Sequence, residues 1–246
     1  MDDRVIVTVF TVIDDVLKAT EHQEHSLAQV SDGEGLTVAV VAALYFQNHQ
    51  ERSLYLLQRL GYLSGQLSVS RFNRRLHRLG HWLGGSLSIL GESFAPGEVF
   101  ILDSVPLPVG RRGRASRCRK VRGRDFCGYC RAKKEQFFGW RLHLICTPDG
   151  LPVAFEMLPA AYQDLPPLHE LAAVRPWGAR VYTDKAYHSA DDAASILADC
   201  GVRLIPVRRK NMKHQHGWAD EYDLRLYRHP IETFNSQLDK MGIERL

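Results

Sequence analysis

The sequence predicts an α/β protein: a mixed five-stranded sheet preceded by a helical N-terminal domain. Three observations predict it. Apolar residues recur at spacings near three and four over roughly the first 90 residues, the helical period. After Gly97 short apolar runs of strand length take over. The first three runs follow one another, and the later ones alternate with helical stretches, a pattern that builds a sheet with crossover helices.

The elements follow in chain order. Helical spacing covers Val5 to Leu17, Leu36 to Phe46, Leu54 to Leu60, and Ser70 to Trp82. Gly61 to Gly65 supplies turn residues between the third and fourth helices, and Ser68 or Ser70 is placed to cap the fourth. Arg71, Arg74, Arg75 and Arg78 lie on that helix. Helix, turn and basic helix fit a DNA-reading helix-turn-helix, and equally a small bundle with solvated arginines. Residues 1–95 therefore read as a helical domain, closed by a Gly/Ser/Pro linker at Gly91 to Gly97.

Residues 98–246 read as the sheet domain. Val99 to Leu102 is a strand ending at Asp103, and a basic loop follows. Phe137 to Cys146 and Leu151 to Leu158 flank the turn Thr147-Pro148-Asp149-Gly150 and predict an antiparallel hairpin. Then come a helix from Leu165 to Val174, a strand from Ala179 to Thr183 ending at Asp184, a helix from Ala190 to Cys200, and a strand from Val202 to Val207. A helix from Tyr222 to Leu246 carries Glu232. Three strands, then helix, strand, helix, strand, helix is the ribonuclease-H-like arrangement. Carboxyl ends of strands in such a sheet meet in one crevice.

Composition narrows the class. The 246 residues are 45% hydrophobic and 24% charged, an ordinary globular balance that excludes disordered, collagenous and coiled-coil chains. No apolar run reaches the ~18 residues of a membrane span. The start Met1-Asp2-Asp3 lacks the basic, apolar and small-residue pattern of a signal peptide, so a cytoplasmic location is expected, on the nucleoid if DNA is bound. Five cysteines, an odd number, predict reduced thiols. Cys127-x2-Cys130, with Cys118, His143 and Cys146 near it, lacks the second spaced pair of a zinc site and reads as free thiols. The histidines His188, His214, His216 and His229 read as surface residues, Asp164 as a helix cap, and Trp82, Trp140, Trp177 and Trp218 as core, with base stacking an alternative for Trp218.

The net charge of +4 is unevenly spread. Residues 111–141 hold twelve Lys or Arg and two acids, a net +10 that leaves the remainder at −6. Like charges this dense repel unless a polyanion neutralises them, so nucleic acid is the expected partner. A second basic knot includes Arg203, Arg208, Arg209, Lys210 and Lys213.

Against this sit three placed carboxylates: Asp103 and Asp184 at strand ends, and Glu232 on the last helix. Converging carboxylates repel unless a cation joins them. Hard oxygen donors suit Mg²⁺ or Mn²⁺, and two such ions support phosphoryl transfer.

Several stretches together resemble the bacterial insertion-sequence DDE transposases, most closely insertion-sequence family 982. They are ILDSVPLPV at 101–109, SRCRK at 116–120, GYCRAKKEQFFGWRLHL at 128–144, TDKAY at 183–187, PVRRKN at 206–211 and IETFNSQLDKMGIERL at 231–246, with SRFNRRLHRL at 70–79. The resemblance implies a catalytic, metal-binding triad of Asp103, Asp184 and Glu232 holding two Mg²⁺ or Mn²⁺ ions. It implies cleavage of insertion-element ends and joining of the freed 3′-hydroxyl to target DNA, without a covalent enzyme intermediate. Double-stranded DNA, as terminal inverted repeats and target, is the implied partner, with a homodimer in the DNA complex and no membrane. Arg117, Arg119, Lys120, Lys133, Lys134, Lys185, Arg208, Arg209, Lys210 and Arg228 are the expected DNA contacts. The family's Tyr-x2-Arg-x3-Glu-x6-Lys signature is partial: Arg228 fits, while Arg225 and Asp239 hold the tyrosine and lysine positions. Arg228 either grips phosphate or pairs with Glu232, four residues on. The chain ends 14 residues past Glu232, where family members run on for several dozen, so two alternatives stay open. They are a truncated or inactive DNA-binding competitor at element ends, and a ribonuclease-H-like nuclease that cuts without joining.

Overall fold

The computed structural model describes residues 1–119, 121–130, 133–162, 166–208, 212 and 215–240, with backbone only at 166, 228–232, 234, 235, 239 and 240. Lys120, Asp164, Arg209, Lys210, Lys213, His214 and the 241–246 end of the expected last helix lie outside the described residues. Two compact units form, residues 1–90 and 91–246.

The first unit is helical: α1 (Asp3–Ala19), α2 (Asp32–Tyr45), α3 (Gln50–Arg59) and α4 (Val69–Phe94). Ile6, Val38, Val41, Leu54, Leu57 and Phe72 form one core cluster, and Ile13, Leu17, Leu36 and Leu79 another. α2 opens with a capping box in which Ser31 Oγ accepts from the Glu34 amide at 3.0 Å and Glu34 accepts from the Ser31 amide at 2.5 Å. Asp32, 1% exposed, accepts from Arg75 Nε and sits 2.8 Å from His22 Nε2. Arg75 also donates to the Val30 carbonyl at 2.6 Å. One of the four arginines on α4 is therefore spent inside the unit. Ser68 caps α4, its Oγ accepting from the Arg71 amide at 3.4 Å.

α4 runs on past Trp82 to Phe94, through most of the stretch expected to be a linker. Gly91 serves close approach rather than flexibility: a Cβ there would lie 2.7 Å from Val153 Cα.

The second unit carries β1 (Val99–Arg111), β2 (Cys127–Cys130), β3 (Glu135–Cys146), β4 (Pro152–Pro159), α5 (Pro166–Ala173), β5 (Arg180–Thr183), α6 (Ala190–Cys200), β6 (Arg203–Pro206) and α7 (Trp218–Lys240). The sheet is mixed and has six strands, not five. The added strand is β2, four residues with a glycine, which pairs with Glu135–Phe138 of β3 beside the longer β4 pairing. Nothing in so short a run marks it as a strand in isolation; its partner's length creates it. The path runs β2-β3-β1-β5-β6, with β4 also on β3. β1 is antiparallel to β3 and parallel to β5, and β5 is parallel to β6.

β1 does not end at Asp103 but continues to Arg111, because the long β3 pairs with it throughout. Pro106 and Pro108 suggest a loop, yet backbone donors alternate sides along a strand, so both missing N–H groups face one side. β5 pairs only with Val99–Leu102, which leaves that side open beyond Leu102 and tolerant of proline.

Phe100, Leu102, Ile145, Val153, Leu168, Leu171, Val181, Tyr187 and Ile196 form the core between the sheet and α5 and α6. Two tryptophans expected in cores are on the surface. Trp177 is 75% exposed and lies over Gly201, and Trp218 is 82% exposed and stacks on Tyr222 at 5.7 Å. No described helix is long and apolar enough to cross a membrane.

Candidate active site

The parallel register of β1 and β5 sets the site. Val99 to Leu102 pair in order with Arg180 to Thr183. The next residues are Asp103, still on β1, and Asp184, just past the end of β5, following a strand pair ~4.8 Å apart. Asp103 is half-buried, and its Oδ1 accepts from the Ser104 amide at 2.8 Å. Asp184 is exposed on extended backbone, and its carbonyl accepts from the Tyr187 amide at 3.2 Å to open a 3-10 turn over Lys185–Tyr187. Asp103, Asp184, Lys185, Val207, Leu224 and Tyr227 line a cleft of about 230 Å³.

α7 is laid along these strands by a series of tethers. Asp220 accepts from Arg203 at 2.5 Å, at the start of β6. Three residues on, Asp223 Oδ2 accepts from Tyr182 Oη at 2.7 Å and from Arg180 at 3.4 Å. Another turn on, Tyr227 packs against Ile101 and Cys146, its ring 5.2 Å from that of Tyr182. The tethers progress along the strands toward the end that carries Asp103 and Asp184. Glu232, five residues past Tyr227, is carried a further ~7.5 Å along the helix axis. Burial, then Asp223, pushes the Tyr182 hydroxyl far above its ordinary range, so it stays a donor. Tyr227 is raised by the same two causes.

The donor set suits a hard divalent cation. Asp103 and Asp184 offer carboxylate oxygens on adjacent strands, and Asp184 has no ion pair among the described residues. Cys146, near Asp103, is no thiolate: burial, then the Asp103 charge, pushes it up to about 12. Among the described residues no three His, Cys, Asp or Glu side chains gather, the Glu232 carboxylate being outside the description. That holds for the cysteines too, all five of which are free thiols.

The expected DNA contacts fall in three places. Arg117 and Arg119 are exposed in and after the 3-10 segment Arg112–Arg117, and Lys133 and Lys134 are exposed in the β2–β3 turn. Arg117, Arg119 and Arg122 line a concavity of about 680 Å³, and Arg111, Arg114 and Arg117 one of about 630 Å³. Among the described residues none of these arginines forms an ion pair, so their charge faces solvent. Lys185 is exposed in the cleft itself, and Arg208 is half-buried just past β6. Arg228 is known only as backbone within α7. In the first unit, Arg71, Arg74 and Arg78 are exposed and line, with His25 and Arg75, a concavity of about 550 Å³.

The sequence reading missed the tethers Arg180, Tyr182, Arg203, Asp220, Asp223 and Tyr227. It also missed the buried pair His143 and Tyr187, 2.9 Å apart. Each joins positions more than 15 residues apart, where only the fold brings them together.

The second unit thus sets Asp103, within β1, and Asp184, just past β5, on one cleft, and carries the basic segment as well. Residues 95–245 match the family model described as "Transposase DDE domain". The chain belongs to that family, a family of transposases whose chemistry is metal-dependent processing of DNA. Among solved structures, the chain is similar to one described as "Mos1 transposase paired-end complex with left transposon end", at 12% identity and a TM-score of 0.27, over 91% of this chain and 82% of that one. No curated protein matches the chain.

Proposed function

We propose that the chain is a DNA transposase that cleaves insertion-element ends and joins the 3′-hydroxyl to target DNA, in the manner of insertion-sequence family 982. The observation that carries this reading is the juxtaposition of Asp103, within β1, and Asp184, just past β5, in a DDE-family domain, with α7 running toward them. Asp103, Asp184 and Glu232 are the catalytic residues and hold two Mg²⁺ or Mn²⁺ ions. When bound, the ions activate the attacking oxygen and neutralise the charge on the leaving one. The protein's own part is positioning and charge. The strand register fixes the two aspartates, and the Asp220, Asp223 and Tyr227 tethers fix the helix that brings Glu232.

Lys185 stands in the cleft to hold the scissile phosphate. Arg208, Arg209, Lys210 and Arg228 grip the terminal phosphates. Arg117, Arg119, Lys120, Lys133 and Lys134 run double-stranded DNA across the edge of the sheet. Residues 1–95 act as a helix-turn-helix domain that contacts the element end through Arg71, Arg74 and Arg78, and residues 98–246 as a ribonuclease-H-like catalytic domain. A homodimer pairs two ends on the nucleoid.

The test is incubation of the protein with a labelled duplex carrying the terminal sequence that flanks its gene, plus a target plasmid. Nicking at the terminal phosphate that needs Mg²⁺ or Mn²⁺, followed by joined product, is expected. Binding in EDTA with no nicking in any metal overturns the enzymatic reading. Nicking without joined product leaves a nuclease and overturns the transposase mechanism.

A further inference from the structure

A buried polar pair in the second unit lies outside the lining of the cleft. His143, on β3, is fully buried, and Tyr187, at the end of the 3-10 turn after β5, is 1% exposed. His143 Nδ1 and Tyr187 Oη are 2.9 Å apart, with the rings edge-on at 86°. Burial, then the nearby Arg141 charge, lowers the His143 pKa to about 4, so the ring is neutral and the pair is a neutral hydrogen bond.

Its placement gives it a role. His143 pairs across the sheet with Ser104, the residue after Asp103. Tyr187 is three residues after Asp184, and its amide closes the turn onto the Asp184 carbonyl. On the other side, Leu102 pairs with Thr183, one residue before each aspartate. Strand register, side-chain bond and turn together form a closed frame around the two carboxylates. Tyr187 itself is seated among Leu102, Ile145, Leu168 and Ile196. It reaches past β1 to β3, so it ties the segment after β5 to the middle of the sheet. The bond adds a polar tie to the core packing of Tyr187 and to the 3-10 turn that follows Asp184.

We infer that the His143–Tyr187 hydrogen bond is a brace that fixes Asp184 and Lys185 relative to Asp103, making both residues positioning residues for the carboxylate site. The inference rests on the reading of Asp103 and Asp184 as metal ligands. The brace touches neither ion nor DNA; it acts through the turn. Direct partners of metal ligands typically change metal affinity by about 10–100-fold when lost, and a brace that acts through the turn belongs at the lower end.

The test uses the full chain and two readouts besides activity: Mn²⁺ binding followed by electron paramagnetic resonance, and amide exchange over residues 184–188. Tyr187→Phe is expected to weaken Mn²⁺ binding by about tenfold, the lower end of that range, and to speed exchange in that segment. His143→Leu should match it, and the double variant should be no worse than either single in Mn²⁺ affinity, because the brace is the bond they share. His143→Gln keeps a polar partner for the hydroxyl and should restore most of the affinity. Val202→Ala, in the same core before β6, serves as the control: it should lower the melting temperature without changing either readout. Wild-type Mn²⁺ affinity and exchange in Tyr187→Phe overturn the brace. So does a loss that Val202→Ala reproduces at equal loss of stability. A wild-type chain that binds no Mn²⁺ overturns the metal reading and the inference with it, and is told apart from failure of the brace alone by that wild-type measurement.

Discussion

Asp223→Ala tests whether α7 is held where the site needs it. Asp223 is the acceptor for the Tyr182 hydroxyl at 2.7 Å and for Arg180 at 3.4 Å. Tyr182 is 2% exposed, so the substitution leaves a buried donor facing no carboxylate, which costs about 1–3 kcal/mol. The ion pair to the half-exposed Arg180 adds only about 0.2–1 kcal/mol. The docking of α7 should weaken by about 1–4 kcal/mol in all. At ~2–4 °C per kcal/mol for a chain of this size, the melting temperature should fall by roughly 2–16 °C. Because α7 carries Glu232, metal-dependent nicking should fall by more than the folded fraction does, up to about 30-fold for 2 kcal/mol. Asp223→Asn keeps an acceptor without the charge and should fall between the two. The assay pairs thermal unfolding with limited proteolysis of α7 and with nicking at a temperature where both proteins are folded. Nicking at the wild-type rate from Asp223→Ala, with α7 newly open to protease, would refute the claim that this helix completes the site.

Three further outcomes are expected. Gly91→Ala should destabilise the second unit by about 1–3 kcal/mol in denaturant titration, because the new methyl meets Val153 Cα at 2.7 Å and backbone must shift. Stability should fall as pH drops from the unfolded histidine value of about 6.5 to the folded His143 value of about 4. Over that window the unfolded chain binds the proton and the folded one does not, so stability is fully present above about 6.5 and up to about 3 kcal/mol is lost below it. His143→Gln should flatten the curve in urea titrations across that range. DNA affinity should fall steeply with salt, and replacing Arg117 or Lys133 by Ala should each lower the log–log slope by about 0.9 per lost phosphate contact. A slope unchanged by both would place the DNA elsewhere.

What was legible in the sequence was what local periodicity writes down. The hairpin of β3 and β4, the strand before Asp184, and α6 from Ala190 to Cys200 all come from runs whose period and turn residues agree. β2 was not legible, because a four-residue strand owes its existence to the free edge of β3. The second half of β1 was hidden by Pro106 and Pro108, whose cost depends on which side of the strand is unpaired. The last turns of α4 were hidden by Gly84 and Gly85, poor helix formers that tertiary packing overrides. At the site, Asp103 and Asp184 stood out because each follows an apolar run directly. Their juxtaposition needed the parallel register. Tyr182, Asp223, His143 and Tyr187 carry no local signature at all, since each acts through a partner more than 40 residues away.

The central claim is that Asp103, Asp184 and Glu232 hold the catalytic metal ions, and a change of metal preference tests it most directly. Asp184→Cys replaces a hard oxygen donor by a softer thiolate, which Mg²⁺ accepts poorly and Mn²⁺ accepts better. The measurement is the nicking rate of wild type and Asp184→Cys on the element-end duplex in Mg²⁺ and in Mn²⁺, with Asp184→Ala as the control. The account predicts that the cysteine variant is inactive in Mg²⁺ and recovers in Mn²⁺, while the alanine variant is inactive in both. Equal activity of the cysteine variant and wild type in Mg²⁺, or recovery of the alanine variant in Mn²⁺, would contradict it.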